Sequence, residues 1–185
     1  DLSGLSFAGE AEPGADTHRY YLVSLRQLKK KDFAGTIVPE VSTLANWLWE
    51  QFALVPVFVP MQLQNDDAIC NAVMQATRAP ARRIVPDTAA DLIGLSAGAQ
   101  FVLGMRLHSL IYAASAGTPI LGISYDPKID AFLDYIGQKK FCLDVRNVAE
   151  GELLSAADAV MADHEGIAEA LRTVSDRMRR LAASD

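Results

Sequence analysis

Three side chains with complementary chemistry stand 22 residues apart at most: Arg106, His108 and Lys128. Arg106 and His108 follow the apolar run Phe101-Val102-Leu103 and Gly104. Lys128 follows a second apolar run, Pro119–Ile123, which empties into Ser124-Tyr125-Asp126-Pro127-Lys128. An arginine offers a planar two-pronged grip on a carboxylate or phosphate, and a lysine a point charge for a phosphate. A histidine hydrogen-bonds a phosphate or moves a proton near neutral pH. Together they suit a small, multiply charged anion. Arg26 ends an earlier apolar run, Tyr20–Leu25, and is a candidate for the same site.

The elements that must position these groups alternate along the chain. Strands are expected at Tyr20–Leu25, Leu54–Val59, Arg83–Val85, from Phe101, from Pro119, and at Phe141–Val145. Between them, helical spacing of apolar residues predicts helices over Val41–Phe52, after Asn65 or Asp66 as cap, over Ala89–Ala97 behind Thr88, over Arg106–Ala116 and over Ile129–Ile136. The second of these is expected to bury Ile69, Val73 and Ala76. Two more helices, Glu150–Met161 and Glu165–Ala182, close the chain, the last with Ile167, Leu171, Val174, Met178 and Leu181 in one stripe. Strictly alternating strands and helices, with continuously apolar strands, predict an α/β fold: a doubly wound, Rossmann-like parallel sheet covered on both faces. Ligands of such sheets bind beyond the carboxyl ends of the strands, where the strand order reverses.

Arg106 and His108 then fall in the first turn of a helix, with Leu107 between them. Side chains there lean back over the strand end, and the unpaired amides of the turn, Leu107 included, attract an anion. The alternative is a local ion pair of Arg106 with an Asp and a structural His108. Lys128 at a helix start is disfavoured by the helix dipole unless an anion is nearby. Asp126 either caps that helix or meets substrate hydroxyls. Gln62 and Asp66 follow the second strand, and Tyr125 precedes Asp126; all three sit where they can support the site, Asp66 also being a candidate cap.

Bulk properties narrow the class. With 185 residues, half of them hydrophobic, the chain can bury a full core, and no apolar run has the length of a membrane span. A net charge of −6 argues against a general nucleic-acid binder. Cys70 and Cys142 are expected as reduced, buried thiols. The spacing of His and Cys gives no metal-ligand pattern, and neither a P-loop nor GxGxxG is present, so no metal or cofactor is expected. His18 and His164 lie in polar contexts, Trp47 and Trp49 are assigned to packing or an interdomain surface, and Lys29–Lys31, Lys139-Lys140 and Arg177–Arg180 to solvated charge. Residues 1–18 are small, polar and glycine-rich and read as a linker, with one domain over 19–185.

The segment MRLHS followed by GTPILGISYDPKIDAFL resembles the C-terminal half of the polysaccharide pyruvyl transferases, in particular those of the CsaB type. The likeness is strongest over Phe101–Gly137, continues through VFVPMQLQNDD, and touches LVSLR. It implies the C-terminal half of a GT-B-like two-domain protein, with a preceding domain outside this chain, so that the chain alone is expected to be inactive. It further implies transfer of the carboxyvinyl group of phosphoenolpyruvate to two hydroxyls of a cell-wall or exopolysaccharide sugar, as a cyclic ketal, without a cofactor. The acceptor implied is a lipid-linked precursor containing N-acetylmannosamine, met in the cytoplasm or at the inner membrane surface. On this reading Arg26, Arg106, Leu107, His108 and Lys128 hold phosphoenolpyruvate, and Arg106 and His108 are catalytic. Two other functions suit the same sheet: the nucleotide-sugar-binding half of a GT-B glycosyltransferase, with Asp126 or Asp144 on the ribose, and a non-catalytic anion-binding or assembly module.

Overall fold

The structure is a computed structural model that describes residues 19–29 and 33–182. The linker-like opening, His18, Lys30 and Lys31 lie outside the described residues. Six strands form one parallel sheet: β1 (Tyr20–Ser24), β2 (Val55–Phe58), β3 (Arg82–Arg83), β4 (Val102–Gly104), β5 (Ile120–Ser124) and β6 (Cys142–Asp144). Their order is β3-β2-β1-β4-β5-β6, the doubly wound arrangement, with the reversal between β1 and β4.

Among the described residues seven α-helices accompany them: α1 (Phe33–Phe52), α2 (Leu63–Ala76), α3 (Ala89–Gly98), α4 (Leu107–Ala116), α5 (Pro127–Tyr135), α6 (Glu152–Ala162) and α7 (His164–Ala182). Right-handed crossovers place α1 and α2 on one face of the sheet and α3, α4 and α5 on the other. The strands β1, β2, β4 and β5 are buried along their whole length, which is why they read as unbroken apolar runs. Tyr21 stacks on Phe101 with ring centroids 4.9 Å apart, and the Tyr20 hydroxyl donates to the Leu95 carbonyl at 2.8 Å, tying β1 to α3.

Several boundaries differ from the sequence expectation, each for a physical reason. Helix α1 begins at Phe33 rather than Val41, because Phe33 and Ile37 extend the buried stripe of Val41, Leu44 and Leu48. Gly35 and Pro39 disguised that turn; both are exposed, on the side where solvent can serve the carbonyl that Pro39 cannot bond. Helix α2 starts at Leu63 with Gln62 in the capping position, so neither Asn65 nor Asp66 is its cap. Ala76 is exposed, and Cys70 and Asp66 join Ile69 and Val73 on the buried face. Strand β3 is two residues at the sheet edge instead of Arg83–Val85, since Val85 is 44% exposed and Pro86 follows. Cys142 is half-buried where a buried thiol was expected, while Cys70 is fully buried, which pushes its thiol up to about 12. The α7 stripe descends only part-way into the core, from buried Ile167 and Leu171 to Leu181 at 54% exposure.

Two glycines carry the close approach of helices to the sheet. A Cβ on Gly104, at the end of β4, would collide with Leu110 Cδ2 and meet Ser109 Oγ at 3.0 Å. Gly122 in β5 similarly leaves room for Leu133 of α5. Gly104→Val is therefore expected to destabilise the protein by about 1–3 kcal/mol through overpacking. Gly94→Ala, on the exposed face of α3 with open space around it, should instead stabilise by about 0.4–1 kcal/mol. Urea unfolding of both variants checks the contrast; an unchanged Gly104→Val midpoint would show that α4 does not depend on this contact.

Candidate active site

The carboxyl ends of β1 and β4 lie level, and β5 runs past them to Ser124. Ser24 is in register with Gly104, and Gly104 with Gly122. The ladder runs one residue further on each side, with Met105 N–H donating to the Ser24 carbonyl at 2.8 Å and Val145 N–H to that of Ser124 at 2.9 Å. Arg26, Arg106 and the Tyr125–Lys128 segment thus emerge at one sheet edge.

Arg106 occupies the capping position of α4 in extended backbone. Its side chain crosses the end of β1 to α2, where Nε donates to Asp66 Oδ2 at 3.0 Å and Nη2 donates to Asp66 Oδ1. Asp66 is completely buried and Arg106 is 8% exposed. Asp66 Oδ2 also accepts the Gln62 N–H at 3.0 Å, fastening the entry of α2. Arg106 is therefore ion-paired, but with Asp66, 40 residues upstream, rather than with a local Asp, and only Nη1 is left without a partner among the described residues. Asp66 lies one turn inside α2, on its buried face, where Arg106 from the start of α4 meets it.

Arg26 crosses the other way, over the end of β4. Its Nη1 donates to the Tyr125 hydroxyl, and the guanidinium carbon lies 4.8 Å from the Tyr125 ring centroid. Arg26 and Tyr125 are half-buried. Lys128 is exposed in the first turn of α5, and its ammonium has no ion pair among the described residues. Asp126 caps that helix by accepting the Lys128 N–H at 3.0 Å. His108 is exposed in the first turn of α4, its ring centroid 6.4 Å from that of Tyr112 one turn on. No side chain caps α4, whereas α3 has a full capping box from Thr88 and Asp91, so the first-turn amides of Leu107 and His108 remain open.

A further cluster escaped the sequence reading. Asp130 accepts hydrogen bonds from the Lys139 ammonium and the Ser124 hydroxyl, with Cys142 Sγ at 3.7 Å. The hydrogen bonds from Lys139 and then Ser124 hold its carboxyl below the usual range. Lys139 is thus a paired cation rather than plain solvated charge, and Lys140 approaches Asp163 at 3.8 Å. The spacing of Ser124 and Asp130 across a capped helix start is the one available signal for this cluster. Asp144 is engaged by Arg146, whose hydrogen bonds hold the carboxyl down to about 2. His164 has its Nε2 2.8 Å from the Gln100 carbonyl oxygen, a structural role at the start of α7.

Beside the cationic edge, over the ends of β2 and β3, opens a cleft of about 610 Å³ reached by Gln62 and Tyr112. Neither Arg106 nor Lys128 lines it. Among the described residues no three His, Cys, Asp or Glu side chains gather as ligands for a metal.

The fold is a doubly wound α/β domain whose sheet gathers Arg26, Arg106, Lys128 and the uncapped start of α4 at its carboxyl edge. The family model for polysaccharide pyruvyl transferase matches residues 9–127, and the chain belongs to that family. The matched span ends one residue before Lys128. Among curated relatives, the amylovoran biosynthesis protein AmsJ of Erwinia amylovora is 30% identical over 101 residues, which make up 54% of this chain and 24% of AmsJ. The match thus spans about a quarter of that relative's length. Among solved structures, one on EarP-mediated arginine glycosylation of translation elongation factor EF-P has a TM-score of 0.60 at 16% identity, covering 97% of this chain and 60% of that one. The C-terminal CMP-Kdo binding domain of WaaA from Acinetobacter baumannii has a TM-score of 0.54 at 13% identity, covering 85% and 89% respectively. At these identities the likeness is one of fold.

The Arg106–Asp66 pair yields a direct test. Asp66→Ala strands a buried guanidinium and should destabilise by about 3–5 kcal/mol. Arg106→Lys is also expected to lose stability, because an ammonium cannot reproduce a two-pronged contact. Chemical denaturation measures both; an Asp66→Ala variant as stable as the parent would show that the pair does not hold this edge together.

Proposed function

We propose that this domain binds phosphoenolpyruvate at the carboxyl edge of its sheet and serves a polysaccharide pyruvyl transferase that forms a cyclic pyruvate ketal on a sugar. The observation that carries the reading is the set of groups at that edge, the cations Arg26 and Lys128 with the His108 imidazole beside the uncapped start of α4, in a chain of this family. Arg26, the Nη1 edge of Arg106 and the amides of Leu107 and His108 suit the donor carboxylate. Lys128 suits the phosphate. The alternative reading as a nucleotide-sugar site needs a free acid for a ribose; here Asp126 is occupied as a helix cap and Asp144 by Arg146.

The reaction asks for a proton on the methylene carbon, which makes the central carbon electrophilic, and for attack there by two sugar hydroxyls as phosphate departs. Of the two hydroxyl protons, one ends on the new methyl group and the other on phosphate, so the balance needs no external base or oxidant. His108 delivers the proton in this scheme, its ring exposed toward the donor. A second domain supplies the opposite wall of the cleft, and the 185-residue chain alone is inactive. The acceptor is a lipid-linked sugar at the cytoplasmic face of the membrane; no described helix is long and apolar enough to cross one.

Phosphoenolpyruvate should raise the melting temperature of the full-length protein by mass action on the folded state. If a nucleotide sugar does so and phosphoenolpyruvate does not, the glycosyltransferase reading replaces this one. His108→Ala and His108→Gln should each lower turnover by about 10²–10⁴-fold. Only the alanine variant should also weaken donor binding, since glutamine still donates a hydrogen bond. Near-normal turnover in His108→Gln would assign the proton to another group.

A further inference from the structure

The 610 Å³ cleft has a chemistry unlike that of the neighbouring edge: none of the described residues lining it carries a charge. Three carboxamides, Gln62, Gln64 and Asn65, meet the ring of Tyr112 and the apolar side chains of Met61 and Val85. A small trianion would find no counter-charge here. Neutral amides beside an aromatic ring suit a polyhydroxylated ligand instead, because an amide presents a donor and an acceptor to neighbouring hydroxyls while the ring packs against the apolar C–H face. Two of the amides are linked to each other: Asn65 Nδ2 donates to Gln62 Oε1 at 3.2 Å. That contact leaves Gln62 Nε2, a donor, and Asn65 Oδ1, an acceptor, without partners among the described residues. Gln62 and Gln64 are both exposed. A volume of about 610 Å³ lies within the range of small-molecule sites and exceeds what a single monosaccharide fills.

The cleft is also joined to the chemistry. Tyr112 sits on α4 one turn beyond His108, with ring centroids 6.4 Å apart. A ligand resting on Tyr112 therefore lies next to the histidine at the anion-binding edge.

We infer that the cleft lined by Gln62, Gln64, Asn65 and Tyr112 is a carbohydrate subsite that receives the sugar acceptor, presenting its hydroxyls toward His108. This rests on the reading of the edge as the donor site, yet it stands on separate residues and is tested separately. In the full-length protein, saturation-transfer NMR with methyl glycosides of hexoses and N-acetylhexosamines at millimolar concentration should show transfer to at least one of them. Gln64→Ala and Tyr112→Ala should each weaken that binding by roughly two- to tenfold, as loss of a neutral hydrogen bond or packing contact does. Both variants should keep the melting-temperature increase given by phosphoenolpyruvate. Gln64 is exposed, so its variant tests the site even if Tyr112→Ala unfolds. If no glycoside binds while phosphoenolpyruvate does, or if binding is unchanged in Gln64→Ala and Tyr112→Ala, the subsite assignment falls and the donor site stands. If glycosides bind and phosphoenolpyruvate does not, the donor reading falls and the subsite stands.

Discussion

The buried ion pair between Arg106 and Asp66 is the constraint on which the carboxyl edge depends. Taking a carboxylate and a guanidinium out of water is expensive, and the expense is met only when geometry and extra hydrogen bonds are good. Here Asp66 receives two guanidinium nitrogens and the Gln62 amide, and it has no exposed surface. The pair links the turn after β4 to the first turn of α2 across the end of β1, which is the point where the strand order reverses. In most sheets of this kind that point is an open crevice. In this chain one arginine fills part of it and so fixes the start of α4, and with it His108.

The second arginine crosses in the opposite sense. Arg26 leaves β1 and reaches Tyr125 beyond β5, passing over β4. The two arms brace three strand ends against one another and divide the surface. On one side stand Arg26, His108 and Lys128, suited to an anion; on the other lies an uncharged cleft with carboxamides and Tyr112. Such a division suits a transfer reaction between a charged donor and a neutral acceptor. A sheet of this kind supplies only the edge, and the side chains at that edge select the ligand.

The fold was legible in the sequence because its signals are local. Continuous apolar strands, Thr88 before α3 and Pro127 behind a capping Asp126 all act within a few residues. The turns that were misread are those where a local signal lost to burial: the α1 stripe overrode Gly35 and Pro39, and the start of α2 was set by a capping residue, Gln62, that carries no capping hydrogen bond from its side chain. The site was legible only as a set of residues sharing one edge. Which arginine pairs with which partner depends on strand order, and strand order places Asp66, 40 residues upstream, against Arg106. The Ser124–Asp130–Lys139 cluster was hidden for the same reason, since β5 and β6 must pair before those groups meet.

A crystal structure of the full-length protein with phosphoenolpyruvate tests the account most directly. The donor is expected at the carboxyl edge, its carboxylate on Arg26 and the first-turn amides of α4, its phosphate within hydrogen-bonding distance of Lys128, His108 facing the methylene carbon, and the Arg106–Asp66 pair intact. Phosphoenolpyruvate bound away from His108 and Lys128, or bound only with Arg106 drawn off Asp66 to grip it, would contradict the account.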